Sequence, residues 1–161
     1  SVSETNLFSQ TVPGGTLGST GSLEGIFQIF VTDNAVGFED RTLTLSMKYG
    51  GSLVAAADLN TSGSDGASSV TSIGSTKPMI VRTVLSAEGT GNQVGTLVVT
   101  GYTTVVDAGG AKLLGAASGA GQGTTAVSSG SDQTFLITAQ WSVADSNCSM
   151  QISHGSLREI I

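Results

Sequence analysis

"SDQTFLITAQWSVADSNCSMQISHG", residues 131–155, holds the chain's only Trp, its only Cys and its only His. Either catalytic residues gather here or two strands of a sheet carry them, and alternation decides the first half. Phe135, Ile137, Ala139, Trp141 and Val143 fall on one face of an extended chain; Thr134, Thr138, Gln140 and Ser142 fall on the other, and Leu136 alone breaks step. This is the pattern of a half-buried strand. Phe135, Ile137 and Trp141 are therefore expected in the core or at a subunit interface.

Cys148 and His154 are the nucleophile and base to test. On one extended strand, six positions at about 3.3 Å each separate them by roughly 20 Å, well beyond hydrogen-bond reach. The expected arrangement is a small buried thiol and a surface or interface imidazole. Trp141 is either a sugar-stacking platform or a core or interface aromatic, and its place on the apolar face of the strand favours the second.

The totals bound the rest. A chain of 161 residues suits one domain with a real core. Charged residues make up 11%, less than half of the roughly 25% usual in soluble domains. A surface so poor in charge is expected to be covered in part by other subunits. The 23 Gly and only 2 Pro, with short runs of Val, Thr and Ile, point to many strands joined by turns. The net charge of -6 and six scattered basic residues argue against a nucleic-acid partner. No apolar run approaches the ~18–20 residues of a membrane span, so no membrane partner is expected. A single Cys cannot form an intrachain disulfide. The opening SVSETNLF suits a small, complete gene product that has lost its initiator Met.

Along the chain, Ser22 to Val31 places Leu23, Phe27, Ile29 and Val31 together. Thr42 to Tyr49 alternates cleanly, and Gly50–Gly51 turns it into SLVAAADL as a hairpin. Residues 60–69 read as a loop. Pro78 to Ala87 is a strand with its proline at the start. EGTGNQ then turns into VGTLVVTGYTTVV. The Gly-, Ala- and Ser-rich stretch at 115–130 is a mobile loop or an edge strand. Thr134 to Val143 and Cys148 to about Ile160 close a series of about eight strands. The fold class is all-β, an antiparallel β-sandwich.

Catalytic and metal motifs do not rise above this pattern. No Gly-x-Ser-x-Gly elbow occurs, GTGNQVG lacks dinucleotide spacing, and GGAKL lacks the hydroxyl that follows Lys in a phosphate loop. DLNTSG from Asp58 copies the first half of a calcium loop, but its twelfth position is Ser69 in place of a bidentate Glu. NTS at Asn60 and NCS at Asn147 fit the glycosylation pattern and equally fit turns. No catalytic residue, cofactor or metal ligand is assigned, and the chain is expected not to be an enzyme.

RTLTLSMKYGGSLVA (Arg41 to Ala55) together with QTFLITAQWSVADSNCSMQISHGSLREI (Gln133 to Ile160) resembles a family of small structural proteins of tailed bacteriophages. The matching pieces are the LTLSMKYGG strand and turn, the TAQWS strand, Asn147, and the closing Leu157 and Glu159. The resemblance covers the first half and the end of the chain and is poor at 63–78 and 115–130. It implies a jelly-roll domain behind a short extended N-terminal segment. It also implies a virion component that assembles as a homotrimer, either a capsid decoration (cement) protein or part of a tail fibre.

Two functions follow as expectations. In the first, residues 16–161 form a jelly roll that binds the major capsid protein on the outer surface of a phage head and stabilises it. Residues 1–15 then form a docking arm with Leu7, Phe8 and Val12 as apolar anchors. In the second, the chain is the receptor- or glycan-binding head of a tail fibre; the lack of heptads or repeats for a shaft places it behind the first.

Overall fold

Thr42 to Tyr49 shows how the core is made. Leu43, Leu45, Met47 and Tyr49 alternate with polar residues, and all four are buried. Gly50 and Gly51 then adopt φ of 56° and 81°, the left-handed conformations of a two-residue hairpin turn, and the chain returns directly antiparallel. The same rule, repeated, gives an all-β protein.

The computed structural model describes residues 3–33, 42–60, 77–106, 112–144, 146 and 148–160. Among these are nine strands: β1 (Thr5–Val12), β2 (Ser22–Asp33), β3 (Thr42–Tyr49), β4 (Ser52–Asn60), β5 (Lys77–Ala87), β6 (Gln93–Val106), β7 (Lys112–Thr125), β8 (Gln133–Trp141) and β9 (Cys148–Ile160). They form two antiparallel sheets, a four-stranded one in the order β1-β8-β3-β4 and a five-stranded one in the order β7-β6-β5-β2-β9. The expected antiparallel sandwich is what forms. Jelly-roll winding from sheet to sheet occurs between β1 and β2, β2 and β3, β4 and β5, β7 and β8, and β8 and β9; β3–β4 and β5–β6–β7 stay within one sheet.

The core lies between the sheets. Phe27, Ile29 and Val31 of β2, Val81 and Leu85 of β5, and Leu97 and Val99 of β6 face Leu43, Leu45 and Met47 of β3 and Phe135 and Ile137 of β8. At one side Phe8, Phe27 and Phe135 form an aromatic cluster with centroid separations of 4.8, 6.2 and 6.4 Å. At the other side β4 lies against β7, and the small residues of β7 have a purpose there. A Cβ on Gly121 would sit 1.7 Å from the Ala56 carbonyl oxygen, and one on Gly123 would sit 2.2 Å from that of Val54. The Gly-rich stretch is thus an edge strand whose lack of side chains lets two backbones meet.

The ninth strand is the segment expected to be an arm. Thr5–Val12 pairs along its length with β8, Val12 is buried, and Phe8 touches both Phe27 and Phe135. The expectation of a docking arm at 1–15 is therefore corrected over the described residues: Leu7, Phe8 and Val12, expected as its anchors, belong to or pack on the core. A segment carrying Leu7, Phe8 and Val12 beside a strand already committed to the core gains more by extending the sheet than by staying in water. The following connection is held as well. Gly14 N–H donates to Asp132 Oδ1 at 2.8 Å, Gly15 N–H to the Ser129 carbonyl at 2.8 Å, and Ser129 Oγ to the Gly18 carbonyl at 2.8 Å.

Candidate functional site

Parity first decides the Cys148–His154 question. The two residues are six apart on β9, so an uninterrupted strand would place them on one face. The ladder with β2 shifts register between Gln28 and Ile29, because β9 carries Ser153 as an extra residue between Ile152 and His154. Cys148, Met150 and Ile152 consequently pack against the core, whereas His154 is exposed beside Gln28 and its Nδ1 is 2.9 Å from Ser153 Oγ. The thiol and the imidazole lie on opposite faces of one strand. They cannot act as a base and nucleophile pair.

Phe135, Ile137 and Trp141 all point inward from β8, and Trp141 is only 5% exposed. Its ring lies opposite Leu43 of β3, and its Nε1 is buried without a hydrogen-bond partner among the described residues. A ring so enclosed offers no face to a sugar. Asp58, the start of the calcium-like pattern, accepts from Thr44 Oγ1 at 2.6 Å, while residues 61–69 of that pattern lie outside the described residues. Among the described residues no group of three or more His, Cys, Asp or Glu side chains is arranged to hold a metal ion.

Besides the Thr44–Asp58 bond, the outer face of the four-stranded sheet carries a carboxylate held from two strands. Glu4, just before β1, accepts from Lys48 Nζ on β3 at 2.5 Å and from Thr138 Oγ1 on β8 at 2.5 Å. The carboxylate thus reaches across two strands and fixes the entry to β1. The hydrogen bonds from Lys48 and Thr138 hold its pKa below the ordinary carboxylate value.

The outer face of the five-stranded sheet is different in kind. Even-numbered residues of β2 and β5 point outward and meet in register: Glu24 opposite Val84, Ile26 opposite Arg82, Gln28 opposite Ile80. Across β5 and β6, Arg82 lies opposite Val98 and Val84 opposite Thr96. Ile26, Val84 and Val98 are 39, 37 and 42% exposed, large values for aliphatic side chains gathered on one surface. An open groove of about 450 Å³ runs beside them, lined by Ile26, Gln28, Ile80, His154, Gly155 and Ser156.

Charge on this face is sparse. Glu24 Oε2 accepts from Nε and Nη2 of Arg158 on β9, leaving Oε1 open among the described residues. Arg82 stands exposed with no hydrogen bond or ion pair among the described residues. The sequence did carry a signal for this face. PMIVRTVL and VGTLVV are apolar at both parities, as in strands covered on both sides.

β9 is an edge strand like β1: among the described residues it pairs with β2 on one side and with no strand on the other. Most of its residues from 153 onward are exposed. Its bulge, Arg158 and Glu159 are features that discourage indiscriminate strand pairing.

Neither a protein-family model nor a curated protein matches the chain. Among solved structures it is similar to the CBM2 module of the evolved Dit of Lactobacillus casei BL23 phage J-1, at 11% identity, over 83% of this chain and 67% of that one, with a TM-score of 0.26. At that TM-score the two do not share a demonstrated fold.

Proposed function

We propose that this protein is a structural subunit of a tailed-phage virion, a capsid decoration (cement) protein that binds the outer surface of the head as a trimer. Its partner is the major capsid protein, and its role is to stabilise the shell. The observation that carries a structural role is the outer face of the five-stranded sheet, where Ile26, Val84 and Val98 are exposed together beside Arg82, which has no ion pair among the described residues. A surface of this kind suits a protein partner better than water. The assignment to a phage head rests on the resemblance carried by the Thr42–Tyr49 and Gln133–Trp141 strands.

With β1 part of the sandwich, this face and the β9 edge are the surfaces this reading assigns to assembly. The reading includes no catalysis, in keeping with the separation of Cys148 from His154. Two measurements test it. Immuno-labelling of the virion should place the protein on the head, and heads stripped of it should lose heat resistance and regain it when it is added back. Light scattering should give three times the 16.1 kDa chain mass or a whole multiple of that. Labelling confined to the tail would replace this reading with a receptor- or glycan-binding head.

A further inference from the structure

Four residues on the outer face of the five-stranded sheet form a quadrilateral. Glu24 faces Val84 across β2 and β5, and Ile26 faces Arg82 one step further along the same strands. Glu24 and Arg82 therefore occupy one diagonal, Ile26 and Val84 the other. The first diagonal carries opposite charges that do not bond each other; the second carries two exposed aliphatic side chains.

This layout is complementary to itself. A two-fold axis lying in the plane of contact and bisecting the Glu24–Arg82 diagonal brings each of these residues against the other's counterpart in a second copy. The same axis runs close to the Ile26–Val84 diagonal, so each of those side chains meets its own counterpart. We propose that this face is where two copies of the chain meet, with Glu24 of each copy paired to Arg82 of the other and with Ile26 and Val84 forming the dry centre.

The chemistry favours a second copy over an unrelated partner. Arg82 in a face of aliphatic and hydroxyl residues is costly to bury unless a carboxylate reaches it. Among the described residues Glu24 keeps one oxygen open, on the same face and at the matching position. In an isologous interface the pair forms twice from a single sequence. Sheets stack about 10 Å apart, a gap that an extended Glu and Arg together can span. Because the axis runs oblique to the strands, the two sheets cross steeply, as in orthogonal sheet packing.

Charge reversal on the full chain tests this. Arg82→Glu sets carboxylates against Glu24 of the other copy and should weaken self-association at least tenfold. Glu24→Arg combined with Arg82→Glu restores opposite charges across the axis and should restore association. Ile26→Asp, which places a carboxylate against itself on the axis, should disrupt it as well. Molar mass by light scattering over a concentration series is the readout, with circular dichroism confirming that each variant is folded.

A wild-type mass of two chains supports the two-fold contact and overturns the trimer; six chains supports both, with Arg82→Glu reducing the particle to three. Three chains unaffected by Arg82→Glu overturns the two-fold contact and leaves the trimer standing. A monomer at all concentrations overturns both. Failure of the double variant to restore association while Arg82→Glu abolishes it also overturns the pairing, and assigns Arg82 to some other contact.

Discussion

The ring of Phe27 covers the backbone of Gly155, its directly opposed partner on the neighbouring strand. A Cβ at Gly155 would lie 2.7 Å from Phe27 Cδ1, 3.0 Å from Ile152 Cδ1 and 3.1 Å from Phe8 Cδ2. The aromatic ring occupies the space a side chain would take, and the bulge two residues earlier brings Gly155 onto that inner face.

Gly155→Ala should destabilise the protein by about 1–3 kcal/mol, because the added methyl displaces Phe27 from its stack on Phe135. Chemical denaturation measures it. An unchanged midpoint would show that the three-ring cluster yields freely.

Gly121→Ala probes the opposite side of the sandwich. Here the obstacle is the Ala56 carbonyl oxygen, part of the backbone, so the edges β4 and β7 must separate. The expected cost is at least about 1–3 kcal/mol. Ala120→Ser, one residue away on the outer face, should cost within about 0.5 kcal/mol.

Deletion of residues 1–12 should lower the melting temperature sharply or prevent folding. It removes all of β1, exposes the edge of β8, and takes away Phe8 and Val12, where a fully buried side chain of this size contributes about 1.5–3 kcal/mol. A truncated protein with wild-type thermal stability would restore the docking-arm reading.

Glu4 gives a dependence on pH. Its pKa is lowered in the folded state, so its contribution is present above the ordinary carboxylate pKa and is lost as pH falls through the lowered value. The side chain is partly exposed, so the effect is small. Wild type should be more stable than Glu4→Gln near pH 7, and the difference should vanish in acid. A difference that persists undiminished at pH 2 would assign the effect to something other than the carboxylate's charge.

Cys148→Ser should leave assembly intact and cost at most about 1–2 kcal/mol, since the thiol packs on the core away from His154. Loss of assembly by a folded variant would reveal a role for the thiol.

The strands that alternate were readable in advance. Leu43, Leu45, Met47 and Tyr49 on β3 and Phe135, Ile137, Ala139 and Trp141 on β8 lie inside, as their spacing requires. The Gly50–Gly51 turn was equally plain. What local pattern does not carry is partnership. Nothing within TNLFSQTV tells whether Phe8 anchors a partner or fills a gap above Phe27, because that depends on β8, more than a hundred residues away. The bulge at Ser153 was hidden for the same reason: a single extra residue shows only against the ladder of β2. The outer face was hinted at by runs apolar at both parities, but its arrangement of Glu24 against Arg82 depends on the register between β2 and β5.

Among the described residues, strand β1 pairs only with β8, and β9 only with β2. β1 therefore waits for β8, and β2, which can already pair with β5, waits for β9 to cover its other side. Until then the nascent chain can form the β3–β4 hairpin and the β5–β6–β7 meander, but neither sheet can be finished. Such long loop closures slow folding and leave unpaired edges exposed meanwhile. The two sheets are thus completed only once β9 is available, and truncation after residue 147, which removes β9 and leaves β2 an open edge, should yield insoluble protein.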